Sequence, residues 1–466
     1  MLNQVITKAR PAPSIVTLSE ITPNKPFSLM RPKGMQDANL KQFLKEYGDG
    51  SGLFYMGHAS ILCAFGGKKI LFDPVVMSEP YGDAWTFYPP QVQDPALFDV
   101  DAVMVSHIHQ DHYDVEYLRA LDKRVKVIVI GGRPEFEEDL RRNNIKNLHI
   151  IQPETVVEIF DGVYIYGVTH EYNGIDASAI VYNHELCIYH GNDNYLQPES
   201  LKKFKLVRPA IDVACIPYAF IHWYPFLLDF PGEPDSVKKA ECDRLVNMYM
   251  DSCLASIRIL QPKAMIPFGA NLLLDDGDAH SPMNLAVKSP FEFAEYASQQ
   301  APEFKSIVKP LLAGDFCGPD LSKLSFQINE DVNSSTYRSA ADKYLKSKLV
   351  KKVPDWLPID LSEFVIQLQN KLTHTFTPIT HTIRVELLYL EEKIRIEVDC
   401  FKKSARCVEE FSDCLEFHQF NLDPVASGLW LNGKRFEEIL GTRRFTVLRH
   451  PNIHNKEVLR IVSTIL

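Results

Sequence analysis

The segment His107-Ile108-His109-Gln110-Asp111-His112 directly follows the apolar run DAVMVS at 101–106. The apolar run predicts a buried strand, so the histidines begin where the chain leaves the sheet. At such an exit, His107 and His109 have similar side-chain directions and can converge on one cation, while Asp111 and His112 can reach a second. Imidazole nitrogen and carboxylate oxygen suit Zn²⁺, Fe²⁺ or Mn²⁺. This density of ligand-type residues predicts a metal centre.

The composition is typical of a globular protein, and the negative net charge argues against nucleic-acid binding. The chain has 466 residues, of which 45% are hydrophobic and 24% charged. Such a length predicts two or three domains of about 150 residues each. The formal net charge is -10, from 50 Lys and Arg against 60 Asp and Glu. An acidic surface repels phosphate backbones, so we expect no nucleic-acid partner.

The compartment is predicted from the first residues, the hydropathy and the cysteines. The start MLNQVITKARPAPSIV has no apolar core of a secretory signal, and no stretch reaches the ~20 apolar residues that span a bilayer. Nine cysteines are scattered, without a C-x-x-C pair. We therefore expect reduced thiols in a cytoplasmic protein that does not insert into membranes.

The order of patterns predicts an N-terminal arm and two domains. Residues 1–50 are rich in Pro and polar groups, which predicts an extended arm. Short strands follow, with a hairpin turn at Gly66-Gly67, and then strands alternate with helices such as the amphipathic 237–260. This order predicts two sheets stacked between helices over 51–309. A smaller C-terminal α+β domain is predicted over 310–466, with a hairpin around Glu391-Glu392.

The pattern H-x-H-x-D-H after a buried strand resembles the signature of the metallo-β-lactamase fold. Other segments of 52–270 match it in order: GHAS at 57–60, KILFDP at 69–74, VYIYGVTH at 163–170 and YHGND at 189–193. The resemblance implies an αβ/βα four-layer sandwich with two metal ions. It further implies that Asp73 is a structural aspartate, that His170 is the third metal-binding histidine, and that Asp193 bridges the metals.

The last metal ligand of that family is a histidine after a late strand, and it is missing here. The corresponding segment, 265–271, reads MIPFGAN. His280 is the nearest downstream candidate, and Glu171 or His190 could also fill the place. We expect His58 and Asp73 to act one layer further out, hydrogen-bonding to the ligands and orienting them.

Several segments without chemical residues are similar to the subgroup that contains CMP-N-acetylneuraminate hydroxylase. They are YAFIHWYPF at 218–226, PFGANLLL at 267–274 and SGLWLNGKRFEEIL at 427–440. That hydroxylase carries a Rieske iron–sulfur module, which needs C-x-H and C-x-x-H. This chain has only Cys187 and His190 in such a spacing, inside a predicted strand. We therefore expect no Rieske centre.

The residues favour a metal-dependent hydrolase acting on a small-molecule ester, lactone, amide or phosphodiester. Two divalent ions, zinc before iron or manganese, would activate water. Asp111 could act as general base with His112 orienting it. The alternative is an iron-dependent oxygenase at the same site, with electrons supplied by a redox partner. A binding module without turnover is a third class, and the C-terminal domain could mediate a homodimer.

Overall fold

Strands whose side chains are buried on both faces dominate the N-terminal two thirds of the chain. In the strand Ser51–Gly57, side chains contact two cores in turn: Leu53 and Tyr55 face one, and Phe54 and Met56 face the other. A strand buried on both sides is the middle of a layered structure. The computed structural model describes residues 35–78, 80–81, 84–170, 174–274, 280–321, 333–347, 356–374, 378–453, 455–464 and 466.

Contacts divide the chain into two units, of which the larger comprises 34–226 and 233–349. Its strands, in chain order, are β1 (Ser51–Gly57), β2 (Ser60–Phe65), β3 (Lys68–Phe72), β4 (Trp85–Phe87), β5 (Ala102–Met104), β6 (Lys126–Ile130), β7 (Leu148–Ile151), β8 (Val157–Phe160), β9 (Val163–Thr169), β10 (Ala177–Tyr182), β11 (Cys187–His190), β12 (Val213–Pro217), β13 (Ala264–Phe268), β14 (Leu272–Leu274) and β15 (Phe316–Cys317).

Two large sheets are built from these strands. One has the order β15-β1-β2-β3-β5-β6-β7, and the other β13-β12-β11-β10-β9-β8. In the first sheet β3, β5, β6 and β7 are parallel, so their carboxyl ends lie along one edge. The turn between β2 and β3 is Gly66-Gly67, with φ of 58° and 82°, which confirms the predicted hairpin. β4 and β14 form a separate antiparallel pair.

Helices cover the outer face of each sheet. The helices of this unit are α1 (Met35–Tyr47), α2 (Val115–Ala120), α3 (Pro134–Arg142), α4 (Pro198–Val207), α5 (Asp235–Leu260), α6 (Pro282–Ala286), α7 (Pro290–Gln300) and α8 (Ser334–Ser347). Buried residues of α1, α2 and α3 pack on the first sheet, and those of α4, α5 and α7 pack on the second. A third core fills the space between the sheets. The predicted αβ/βα four-layer sandwich is confirmed.

The second unit comprises 1–33, 227–232 and 350–466, and it is described here over 227–232 and from 356 onward. Its strands are β16 (Thr382–Tyr389), β17 (Glu392–Asp399), β18 (Ser404–Cys407), β19 (Phe417–Leu422) and β20 (Phe445–His450), and its helices are α9 (Leu361–His374), α10 (Pro424–Leu431), α11 (Phe436–Thr442) and α12 (Lys456–Thr464). The sheet order is β18-β17-β16-β19-β20, with β16 and β19 parallel. The predicted boundaries at 50 and 310 stay predictions.

Among the parts of the chain that the structure describes, no helix combines the length and apolar character needed to cross a bilayer.

An ion pair between Arg338 and Glu292 links α8 to α7 within the larger unit. Its loss should destabilise the protein in a pH-dependent way. Arg338 donates to Glu292 Oε2 at 2.9 Å and to the carbonyls of Asn284 and Val287. Burial raises the pKa of Glu292, but Arg338 and the Ser289 amide outweigh it, so the pKa lies below its ordinary value. The pair's stabilisation is therefore present above about pH 4.5 and is lost as the pH falls through the folded pKa.

We expect Arg338→Met to lower the free energy of unfolding by about 2–3 kcal/mol at pH 7, because Glu292 and two carbonyls lose a charged donor while Lys288 and the Ser289 amide still contact the carboxylate. The deficit should shrink at pH 4, where Glu292 begins to take up a proton. Urea unfolding of both proteins at the two pH values measures this. Arg244→Met, which breaks an exposed pair with Glu241, is the matched control and should change stability by less than about 1 kcal/mol. Equal losses in the two variants would contradict the prediction.

Candidate metal centre

The loop after β5 is held in place by one buried carboxylate. Asp73 directly follows β3, the neighbour of β5, with its backbone in the left-handed region at φ 42°. Its oxygens accept hydrogen bonds from the Ser106 amide at 2.7 Å and the Ser106 hydroxyl at 2.5 Å. The Asp73 amide in turn donates to the carbonyl of Met104 at 2.9 Å. These bonds set the direction in which the chain leaves the sheet at His107.

Asp73 also orients His112. The Nδ1 of His112 lies 2.8 Å from Asp73 Oδ2, so Nδ1–H donates and the Nε2 lone pair points away. That Nε2 is buried and makes no hydrogen bond, although Asp193 Oδ2 lies 3.3 Å from it and Asp111 Oδ2 lies 3.7 Å from it. Burial lowers the pKa of His112, but Asp193 and Asp111 outweigh it and raise that pKa well above its ordinary value, so positive charge is favoured at Nε2. A metal ion bound there would displace this proton, and two carboxylates facing one imidazole nitrogen form a donor set that fits a metal ion.

Ligand-type side chains form two neighbouring groups. In the first, the ligand atoms of His107, His109 and Asp193 all lie within 4.8 Å of one another. His107 Nε2 and His109 Nδ1 are 2.7 Å apart. In the second, His58, Asp111 and His112 meet the same criterion.

The groups adjoin one another. The ring centroids of His107 and His112 are 4.2 Å apart, and Asp193 Oδ2 is 3.3 Å from His112 Nε2. Asp193, whose side chain is 35% exposed, therefore faces both groups from the solvent side. The arrangement can accommodate two cations side by side.

The surroundings of the site keep His107 neutral and the carboxylates of Asp73 and Asp111 ionised. Burial lowers the pKa of His107 well below its ordinary value, and the nearby His112 and His109 act in the same direction. Burial alone would raise the pKa of Asp111 and Asp73, but His112 outweighs it, so both pKa values are lowered. Ionised carboxylates beside an imidazole that keeps its lone pair are the protonation states that metal binding requires.

Several residues predicted from the sequence lie outside these two groups. His170 follows β9, and its amide donates to the carbonyl of Asp176 at 2.9 Å. His190 is buried in β11, where its Nε2 donates to the carbonyl of Ala59 at 3.0 Å. His280 is exposed. Glu171 lies outside the described residues. The ligand roles suggested for these four residues stay predictions.

Sequence reasoning missed three residues at the centre. Asp176 places Oδ1 3.4 Å from His107 Nε2. Tyr81 donates from its hydroxyl to Asp111 Oδ1 at 3.0 Å. Ser106 bonds to Asp73, as described above, and its hydroxyl lies 3.1 Å from His107 Nδ1. No short motif marks Asp176 or Tyr81, because each reaches the site from a different loop. Ser106 immediately precedes the histidine motif, and only that adjacency could have pointed to it.

Arg133 follows Gly131-Gly132 after β6, a place from which it could contact an anionic substrate or lie solvated in a loop, but the structure shows neither. Its side chain is buried and donates to the carbonyls of Ile130, Ser106 and Ile175. Burial lowers its pKa to about 10. Arg133 therefore stabilises the start of the histidine loop, because Ser106 directly precedes His107.

The larger unit has the metallo-β-lactamase fold, and comparison with known proteins agrees. The model of the beta-lactamase superfamily domain matches residues 52–225. A Mycolicibacterium smegmatis protein named as a Rieske 2Fe-2S iron-sulfur protein is 25% identical over 305 residues, which cover 61% of this chain and 57% of that protein. The chain thus spans just over half the length of this relative. A metal-dependent hydrolase of Exiguobacterium is 26% identical over 170 residues, covering 35% of this chain and 71% of that protein.

Solved structures with this fold include enzymes of two kinds. The metallo hydrolase Igni18 from Ignicoccus hospitalis is 19% identical, covers 57% of this chain and 97% of its own, and has a TM-score of 0.39. CmlA, a diiron β-hydroxylase from Streptomyces venezuelae, is 16% identical, covers 54% of this chain and 51% of its own, and also has a TM-score of 0.39.

Removing the charge of Asp73 should weaken metal binding. In Asp73→Asn the Nδ1–H of His112 loses its anionic acceptor, so we expect zinc affinity to fall by about 10–100-fold. Competition with a chromophoric chelator measures the affinity. Asp99→Asn, which removes a surface carboxylate paired with Lys69, should bind zinc like the unmodified protein. Circular dichroism establishes that both variants are folded, and an unchanged affinity in folded Asp73→Asn would refute the assigned role.

Proposed function

We propose that this protein is a metal-dependent hydrolase that uses a two-metal centre to activate water. The observation that supports this most is the convergence of two ligand groups on one place. His107, His109 and Asp193 adjoin Asp111 and His112, and Asp193 lies between the two groups. The predicted substrate is a small molecule with an ester, lactone, amide or phosphodiester bond.

The first group would hold one cation through His107, His109 and Asp193, with His170 as the further ligand that the family resemblance implies. The second would be held through Asp111 and His112. Two bound divalent cations lower the pKa of a shared water and polarise the bond to be broken. Zinc suits the mixture of imidazole and carboxylate, and iron and manganese are also compatible with it.

Two carboxylates could accept the proton of the attacking water. Asp111 has a side chain only 10% exposed, and its oxygens already contact His58 and Tyr81. Asp193 is 35% exposed and reaches the same space from the solvent side. In our proposal Asp193 would hold the cation with one carboxylate oxygen and accept the proton on the other, and Asp111, which sequence reasoning cast as the base, serves as a ligand with His112 beside it.

An iron-dependent oxygenase at the same site is the second candidate. It is supported by the Rieske-named relative, whose similarity extends over 61% of this chain. In this chain Cys187 and His190 are buried in β11, in regular pairing with β10 and β12. That strand has no loop in which a cluster could be bound, so the electrons would come from a redox partner.

The cysteines support a cytoplasmic location within this proposal. All nine are free thiols, and five of the six in the larger unit are buried. Burial raises the pKa of Cys63, Cys187 and Cys215, which makes them poor nucleophiles at neutral pH. Unpaired, unreactive thiols are typical of reducing compartments. Homodimerisation through the C-terminal domain stays a prediction.

Metal removal and replacement test the hydrolase proposal. We expect the chelated protein to lose turnover of a panel of ester, lactone, amide and phosphodiester substrates, and zinc to restore it. His107→Ala should reduce kcat/KM by at least ~10³-fold, because it removes a ligand that the chemistry requires. His184→Ala, which changes an exposed histidine, is the control and should retain full activity.

The same preparation separates the two candidates. Zinc content together with hydrolysis supports the first. Iron content, no hydrolysis and an optical band that changes on exposure to O₂ or peroxide would replace it with the oxygenase. Unchanged metal content in folded His107→Ala would refute both.

A further inference from the structure

We infer that His58 is a direct ligand of the second cation and takes the place of the histidine absent from 265–271. The inference extends the proposed function, since it presumes a metal ion at the second group. Among the described residues, the other members of that group are Asp111 and His112, and Asp193, 3.3 Å from His112 Nε2, is shared with the first group. Zinc sites have three or four protein ligands, so His58 would give the second cation three ligands of its own beside the shared carboxylate.

His58 has an unusual backbone conformation, which its neighbours stabilise. His58 follows β1 with φ at 51°, in the left-handed region that residues other than glycine rarely adopt. Its carbonyl is held in that conformation by two donors, the Tyr55 hydroxyl at 3.0 Å and the Gly269 amide at 3.1 Å. The side chain is fully buried. A strained and doubly anchored residue is expected where the side-chain position matters.

Its ring lies at the distance expected of a ligand. His58 Nε2 is 3.2 Å from Asp111 Oδ2, and His112 Nε2 is 3.7 Å from the same oxygen. Atoms bound tetrahedrally at about 2.0–2.2 Å from one zinc lie roughly 3.4 Å apart. These two separations bracket that value, and the ligand atoms of all three side chains lie within 4.8 Å of one another, so the three can converge on one ion.

The location also explains how the missing histidine is replaced. Gly269 directly follows β13, where the family's last ligand is expected. A Cβ there would lie 3.3 Å from Asp193 Oδ1, so position 269 borders the centre, but glycine offers no ligand. The Gly269 amide bonds to the His58 carbonyl. His58, which follows β1 of the other sheet, therefore lies beside the position where the histidine is missing.

A competing role is that His58 merely orients Asp111 by donating a hydrogen bond. Asp111 already has an orienting donor, the Tyr81 hydroxyl, at Oδ1. The buried Nδ1 of His58 makes no hydrogen bond in either role, so it does not distinguish them. Substitutions that preserve a donor but remove the imidazole separate the two roles.

Cobalt(II) binding to the full-length chain tests the inference. The variants are His58→Gln, which keeps an amide donor of similar reach, and His58→Asn, whose side chain tolerates the left-handed backbone. His418→Gln is the matched control, a buried histidine of the second unit that belongs to neither ligand group. We expect both His58 variants to bind one cobalt ion fewer than the unmodified chain, or to bind it at least 10-fold more weakly, with a weaker visible d–d absorption. His418→Gln should retain the unmodified stoichiometry and spectrum.

Circular dichroism identifies folded variants, and the two His58 substitutions guard against loss of folding in either one. A folded His58→Gln or His58→Asn with unmodified cobalt stoichiometry, affinity and spectrum overturns the inference. An unmodified chain that binds cobalt through His58 but hydrolyses nothing refutes the proposed hydrolase and leaves the ligand assignment standing.

Discussion

The buried carboxylate of Asp73 is the constraint on which the rest of the site depends. It receives the Ser106 amide, the Ser106 hydroxyl and His112 Nδ1, with both of its oxygens fully buried. An ionised carboxylate in such a place is tolerated only because each oxygen is hydrogen-bonded. In return it fixes where the histidine loop begins and which nitrogen of His112 is free. The tautomer of His112, a candidate metal ligand, is thus set from one strand away.

The four-layer sandwich makes this arrangement rigid. Each large sheet is buried on both faces, so neither can shift without breaking the packing of two cores. The parallel strands β3 and β5 end together, which brings Asp73 and the histidine loop to one edge. Asp193 follows β11 of the other sheet and meets them there. Because both sheets are rigid, the candidate ligands that they supply need little reorganisation to bind a cation.

Local features were predictable because they depend on neighbouring residues. The Gly66-Gly67 turn follows from the ease with which glycine adopts positive φ, and the helix predicted at 237–260 is observed as α5, two residues longer at its start. The hairpin predicted around Glu391-Glu392 is present, but the turn lies one residue earlier. Leu390 and Glu391 have φ of 50° and 67°, values that local propensity disfavours and that the pairing of β16 with β17 imposes.

The amino-acid order alone predicted the fold and pointed to the histidine loop as a candidate metal site, because H-x-H-x-D-H places its candidate ligands within six residues and needs only one strand end to converge. Partners far apart in the chain could not be inferred in this way. His58 meets Asp111 across 53 positions, and the Tyr55 hydroxyl reaches Asn271 across 216. Such meetings result from the stacking of the sheets and the pairing of their strands. Side-chain packing over the whole unit sets that geometry, and the hydrophobic periodicity of the sequence does not reveal it.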